Sequence, residues 1–171
     1  MTTTAYTALP IDPGALKQLR DTDDAGRPCA PYTDRTGGDP LRCCLRPIAP
    51  GEHVALVSYA PLRRWAADTG ATPGAYDEQG PVFIHADECQ GPAPDGEGEE
   101  GYPFARPGTL RTLRRYNAEG HIAGGRLFEI PDDATAGFDA ALAEAFEDPE
   151  VVLVHVRAVE YGCFHFEVRR P

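Results

Sequence analysis

The chain has 171 residues and a formal net charge of −11, with a pI near 4.8, and its length suits one domain that buries a core without staples. An acidic balance of that size excludes a general nucleic-acid binder, whose affinity for phosphate rests on clustered positive charge. Lys17 is the one lysine among 16 basic residues, which argues against Schiff-base chemistry.

The first residues show neither a basic nor an apolar signal region, and no apolar run approaches the roughly 18 residues of a spanning helix. A cytoplasmic protein with no membrane partner is expected. Tyr6 to Leu9 reads as a short strand, and Asp12-Pro13 as an N-cap followed by a first-turn proline, opening a helix to about Arg20. Residues 21–40 are dense in Asp, Gly, Pro and Thr and read as a mobile loop. Its Asp21 to Gly26 run starts like a calcium loop, but Ala25 and Tyr32 stand where ligands belong, so calcium is rejected. Leu41 to Arg46 and His53 to Tyr59 read as a hairpin. Residues 61–76 carry only a weak signal for one helical turn.

Val82 to His85 predicts a strand with Val82 and Ile84 on one face and Phe83 and His85 on the other. Residues 90–103 have little apolar content and read as a second mobile loop. Arg106 to Tyr116 is the locally basic stretch, and Thr109 and Thr112 tilt it to strand. His121 to Ile130 adds another, interrupted by Gly124-Gly125. Ala134, Phe138, Ala141, Leu142, Ala145 and Phe146 form a helical stripe behind an acidic start. Val151 to Val159 and Cys163 to Arg169 close the chain as a hairpin around Gly162. Alternation puts Val152, Val154 and Val156 on its core face with Phe164, Phe166 and Val168. His155, Arg157, Cys163, His165, Glu167 and Arg169 are left for solvent or a site.

Strands outnumber helices and hairpins dominate the connections. The expectation is therefore a single α+β domain over 1–171, with a mostly antiparallel sheet of about six to eight strands and two main helices packed against it.

The five cysteines, Cys29, Cys43, Cys44, Cys89 and Cys163, are odd in number and unevenly spaced, which suits a reducing compartment. Cys43, Cys44, Cys89 and Cys163, with His85, His155 and His165, supply donors for zinc or copper, although no Cys-x-x-Cys or His-Glu-x-x-His spacing groups them. Cys44, His85, Cys89 and Cys163 are the metal candidates. Against them stands the ordinary use of cysteine as a small buried filler. His85, Cys89 and His155 are the catalytic candidates, because an imidazole beside a thiol activates it as a nucleophile. No Gly-x-Ser-x-Gly or nucleotide-binding glycine loop is present. Planar Arg donors suit a carboxylate or phosphate, so Arg42, Arg114, Arg115 and Arg157, with His85 and Tyr116, form the set for a pocket holding a small polar or anionic molecule. That pocket, binding or catalytic, is the leading functional reading. A metal or thiol protein is the first alternative, and an interaction domain using the acidic surface is the second.

Pro40-Leu-Arg-Cys-Cys-Leu45, Pro50-Gly-Glu52, Gly80-Pro-Val-Phe-Ile-His85, Leu113-Arg-Arg-Tyr116, His155-Val-Arg157 and Gly162-Cys163, in that order, resemble the bacterial family catalogued as domain of unknown function 1203. The resemblance covers nearly the whole chain. It implies a small soluble bacterial protein and no activity, and it marks Arg42, Gly80 to His85, Arg114 to Tyr116, His155 and Gly162-Cys163 as pieces of one pocket or one core.

Overall fold

The computed structural model describes residues 3–93 and 100–171. Its helices are α1 (Pro13–Leu19), α2 (Pro61–Thr69) and α3 (Ala134–Glu147). The strands are β1 (Tyr32–Thr33), β2 (His53–Tyr59), β3 (Gly80–His85), β4 (Leu110–Tyr116), β5 (Ile122–Glu129), β6 (Leu153–Ala158) and β7 (Phe164–Arg169). They form two sheets, ordered β1-β2-β3 and β5-β4-β6-β7, and every pairing is antiparallel. The class is the α+β expected, with the strands divided between two sheets. Among the described residues no helix is long and apolar enough to cross a membrane.

Local chemistry sets the helices. The Asp12 carboxylate accepts from the Ala15 N–H at 3.1 Å, and Pro13 occupies the first turn of α1, where its missing donor costs nothing. In α2, Leu62, Trp65 and Ala66 are buried at helical spacing, and Gly70 closes the helix at φ 78°. The weak turn expected in 61–76 is thus a nine-residue helix, stabilised by packing of that apolar face more than by propensity.

Other expectations are corrected. The strand at Tyr6 to Leu9 reduces to a bridge between Leu9 and Glu167. Leu41 to Arg46 forms no hairpin with β2, which pairs instead with β1 and β3; residues 42–44 are a turn. Pro40 and Pro47, which face each other in a bridge, bound the segment too tightly for a ladder. The stretch 21–40 contains β1, and Asp23 ties it down by accepting from the N–H groups of Ala25, Arg27 and Ser58 at 3.0, 2.9 and 3.1 Å. Within the loop expected at 90–103, residues 94–99 lie outside the described residues.

The core falls into three clusters. α3 lays Phe138, Ala141, Leu142 and Ala145 on Leu113, Val154, Val156, Phe166 and Val168 of the four-stranded sheet. Phe138 is fully buried, with the rings of Tyr102 at 4.9 Å and Phe128 at 5.0 Å. α2 packs its Leu62 and Trp65 with Tyr116 and Leu153. α1, the 41–45 turn, β2 and β3 form the remaining cluster, joined by Phe164.

Phe164 was expected beside Phe166, and a bulge separates them. The β6–β7 register slips between Val156 and Arg157; an extra residue reverses the alternation beyond it. The Phe164 ring therefore meets His155 at 5.1 Å and Tyr59 at 5.7 Å, whereas His165 meets Phe104 at 5.1 Å. His155, His165 and Glu167, expected on a solvated or site face, are all buried.

Candidate metal centre

The 41–45 turn is one helical turn, closed by the Leu45 N–H donating to the Leu41 carbonyl at 3.1 Å. Adjacent side chains on a helical turn diverge by about 100°, against about 180° on a strand. Cys43 and Cys44 can therefore face one point, which a strand would forbid. Leu45 ends the turn with a left-handed φ of 57°. Arg42 points away, and its guanidinium donates to the carbonyls of Phe164, at 2.7 Å, and Pro40, stapling the turn to β7.

His85, the last residue of β3, stands beside that turn. Its backbone N–H donates to Cys43 Sγ at 3.3 Å. Its Nδ1 lies 3.3 Å from Cys43 Sγ and 3.9 Å from Cys44 Sγ, and the two sulfurs are 3.9 Å apart. Cys89, four residues further along, completes the group. One donor atom from each of Cys43, Cys44, His85 and Cys89 lies within 4.8 Å of the others. Zinc bonds of about 2.3 Å to sulfur and 2.0–2.1 Å to nitrogen give tetrahedral edges of about 3.8 Å between sulfurs and about 3.6 Å from sulfur to nitrogen. The observed separations fall around those edges before any ion is considered.

The imidazole is oriented from behind. His85 Nε2 lies 3.2 Å from Glu52 Oε1. Arg46 grips the same carboxylate bidentately at 2.5 and 3.0 Å, and the Ala49 N–H donates to it at 2.8 Å. Arg46 Nη2 is also 3.3 Å from Nε2, but the carboxylate is its acceptor. Hydrogen bonding to Arg46 holds the Glu52 carboxyl down at about 2, so an ionised acceptor faces Nε2. An Nε2–H donor there leaves the Nδ1 lone pair aimed at the sulfurs, the carboxylate–histidine arrangement that orients metal ligands.

The two thiols are pushed in opposite directions. The hydrogen bond from Cys43, with His85, the Arg46 backbone N–H and the Arg46 charge, lowers the Cys44 thiol to about 6 against the effect of burial. The same bond and burial push the Cys43 thiol up. Two thiols in contact share a proton; a cation removes that conflict by letting both ionise.

The remaining candidates sit elsewhere. Arg114 and Arg157 converge on Glu78 Oε2 at 2.9 and 3.7 Å. The Tyr116 hydroxyl oxygen accepts from the Arg114 guanidinium, and the Tyr116 ring stands edge-on to His155 at 4.9 Å. Arg157, Glu78 and Cys163 line a cavity of about 50 Å³. Arg115 points to Glu144 on α3 at 3.6 Å. His155 is fully buried, with Nε2 3.3 Å from Glu167 Oε1 but off the line of a hydrogen bond. Cys163 donates to the Tyr161 carbonyl at 3.7 Å and stands apart from the Cys/His group. The sequence offers Cys43 as a donor but not as a member of the metal set, and nothing in it marks Glu52 or Arg46 as part of the site. The signal that Cys43 and Cys44 converge was the proline at each end of Pro40-Leu-Arg-Cys-Cys-Leu-Arg-Pro47, which marks a turn.

The family model described as protein of unknown function (DUF1203) matches residues 38–170, a span that includes all four donors. No curated protein and no solved structure matches the chain.

Proposed function

From a chain that belongs to the DUF1203 family, we propose a metal-binding protein that holds a zinc ion between Cys43, Cys44, His85 and Cys89. The observation that carries this reading is the convergence of three thiols and one imidazole within 4.8 Å. The carboxylate behind His85 supports it, because such an acceptor fixes the tautomer that a ligand needs. So does donor type, since sulfur and imidazole together select zinc over the hard cations. Four protein donors close the coordination sphere, which favours a structural or storage role over Lewis-acid chemistry.

Untagged protein purified from zinc-supplemented cells is expected to carry stoichiometric zinc by elemental analysis. Cobalt replacing it should give intense thiolate-to-metal absorption and tetrahedral d–d bands. Both signals should vanish in Cys43→Ser. A wild-type chain with neither zinc nor cobalt bands ends the reading.

A second reading draws on Arg157, which lines the cavity beside Glu78, and on Arg114, which meets the same Glu78 carboxylate. A small carboxylate or phosphate competing with Glu78 would find two guanidiniums there. Thermal stabilisation by inorganic phosphate, lost in Arg157→Gln, is its expected sign; no shift in the wild type removes it.

A further inference from the structure

The four donors are not held alike. Cys43 is 1 % exposed and Cys44 7 %, and each sulfur accepts a backbone N–H, from His85 and from Arg46. His85 is braced by Glu52. Cys89 is only half-buried and lies beyond the end of β3, in backbone that is neither helix nor strand. Among the described residues no hydrogen bond anchors its sulfur. Asp87, between His85 and Cys89, has a side chain 78 % exposed, with His53 as its partner at 3.0 Å. Two donors are thus buried, the third is part-buried but braced by a carboxylate and the strand that carries it, and the fourth is carried on an arm.

Resting on the metal reading above, we propose that Cys89 is the exchangeable ligand of the centre, and that a low-molecular-weight thiol takes its place when the ion enters or leaves. In that step the bond from zinc to Cys89 sulfur breaks, and a bond from zinc to the incoming sulfur forms. The proton of the incoming thiol passes to the departing Cys89 thiolate. Charge and electron count are unchanged, so no oxidant or reductant is required. A thiol suits the vacated position because it keeps the three-sulfur, one-nitrogen set and its softness. Attack on the buried pair would instead need the 41–45 turn to open, against the Arg42 bonds to Pro40 and Phe164.

The test follows zinc transfer from the loaded full-length chain to a chromophoric chelator, with glutathione as the probe thiol. Glutathione should speed release from the wild type in proportion to its concentration. Cys89→Ser should still bind zinc, and release it at least about tenfold faster, the lower end of what losing even an outer-shell partner costs. Cys43→Ser and Cys44→Ser should keep no ion through gel filtration. Mass mapping after iodoacetamide treatment of the zinc-loaded wild type supplies an arm free of folding effects: Cys89 should be alkylated well before Cys43 and Cys44. The proposal is overturned if Cys89→Ser loses zinc as completely as Cys43→Ser, if glutathione leaves the wild-type rate unchanged, or if the buried pair is alkylated as fast as Cys89. Any of these in a chain that binds zinc leaves the metal reading standing. A wild type that takes up no zinc overturns both.

Discussion

Glu52 is 33 residues from His85 in sequence, yet its carboxylate is the acceptor that leaves Nδ1 free for the sulfurs. Glu52→Gln removes the charge that Arg46 grips and puts a weaker acceptor behind the ring, so zinc affinity should fall about 10- to 100-fold. A competition titration against a calibrated chelator measures it, and an unchanged affinity would remove Glu52 from the account. His165 makes the prediction for pH. Burial, followed by the charges of Arg42, Arg111 and Arg157, lowers it to about 3, and its Nδ1 is buried without a partner. The sign follows from proton counts. Between about pH 6.5 and 3 the unfolded chain protonates this ring and the folded chain does not, so the unfolded state binds more protons and stability falls as pH falls. The slope from this group approaches about 1.4 kcal/mol per pH unit. His155 is also lowered by burial and adds in the same direction. His165→Phe, which keeps an aromatic ring beside Phe104, should flatten the decline between pH 7 and 5 in urea melts; an unaltered slope would mean that His165 takes up protons in the fold.

At the scale of elements, α3 shows how packing overrules propensity. A Cβ built on Gly137 would come within 2.4 Å of Pro131 Cγ and 2.6 Å of Cδ. Alanine is the better helix former by about 1 kcal/mol, but overpacking against a proline ring costs about 1–3 kcal/mol. Gly137→Ala should therefore lower the denaturant midpoint. Gly125→Ala on β5 should leave it unchanged or raise it, since the nearest atom there is Leu113 O at 3.7 Å. A stabilised Gly137→Ala would show that Pro131 moves aside freely. Much of this layer was legible in the sequence. Asp12-Pro13 marks α1, the Phe138 to Phe146 stripe marks α3, and alternation marks β3 and β6, because each signal is local. α2 was nearly invisible, since its apolar face acquires meaning only when Tyr116 and Leu153 lie against it. The β7 bulge was invisible as well: one extra residue leaves no trace in a run such as Phe164-His-Phe-Glu-Val168, and it sends Phe164 and His165 to the faces opposite those that strict alternation assigns. The centre was half legible. His85 and Cys89 stood out as donors, but the partnership with Cys43 and Cys44 depended on the 41–45 segment being a turn, and a strand reading of it separates the pair by construction.

For the whole molecule, the centre ties together segments that the chain order keeps apart. Cys43 and Cys44 belong to the cluster formed with α1, β2 and β3, and Cys89 packs against it. The α3 cluster rests on other residues, with Phe138 and Phe166 at its middle. An ion bound by the folded chain alone stabilises it by RT ln(1 + [L]/Kd), about 4.1 kcal/mol when free zinc exceeds Kd a thousandfold. Removing zinc should lower the melting temperature, and the loss should be uneven. Amide exchange should quicken first in the 41–45 turn and at the ends of β2 and β3, which share the centre. α3, β4 and β6 should keep their protection until global unfolding. Hydrogen exchange on zinc-loaded and chelator-treated protein separates the alternatives. Equal loss across all three clusters would make the ion a staple for the whole fold. No loss anywhere would leave the Cys/His group as a buried thiol cluster whose packing is sufficient without an ion.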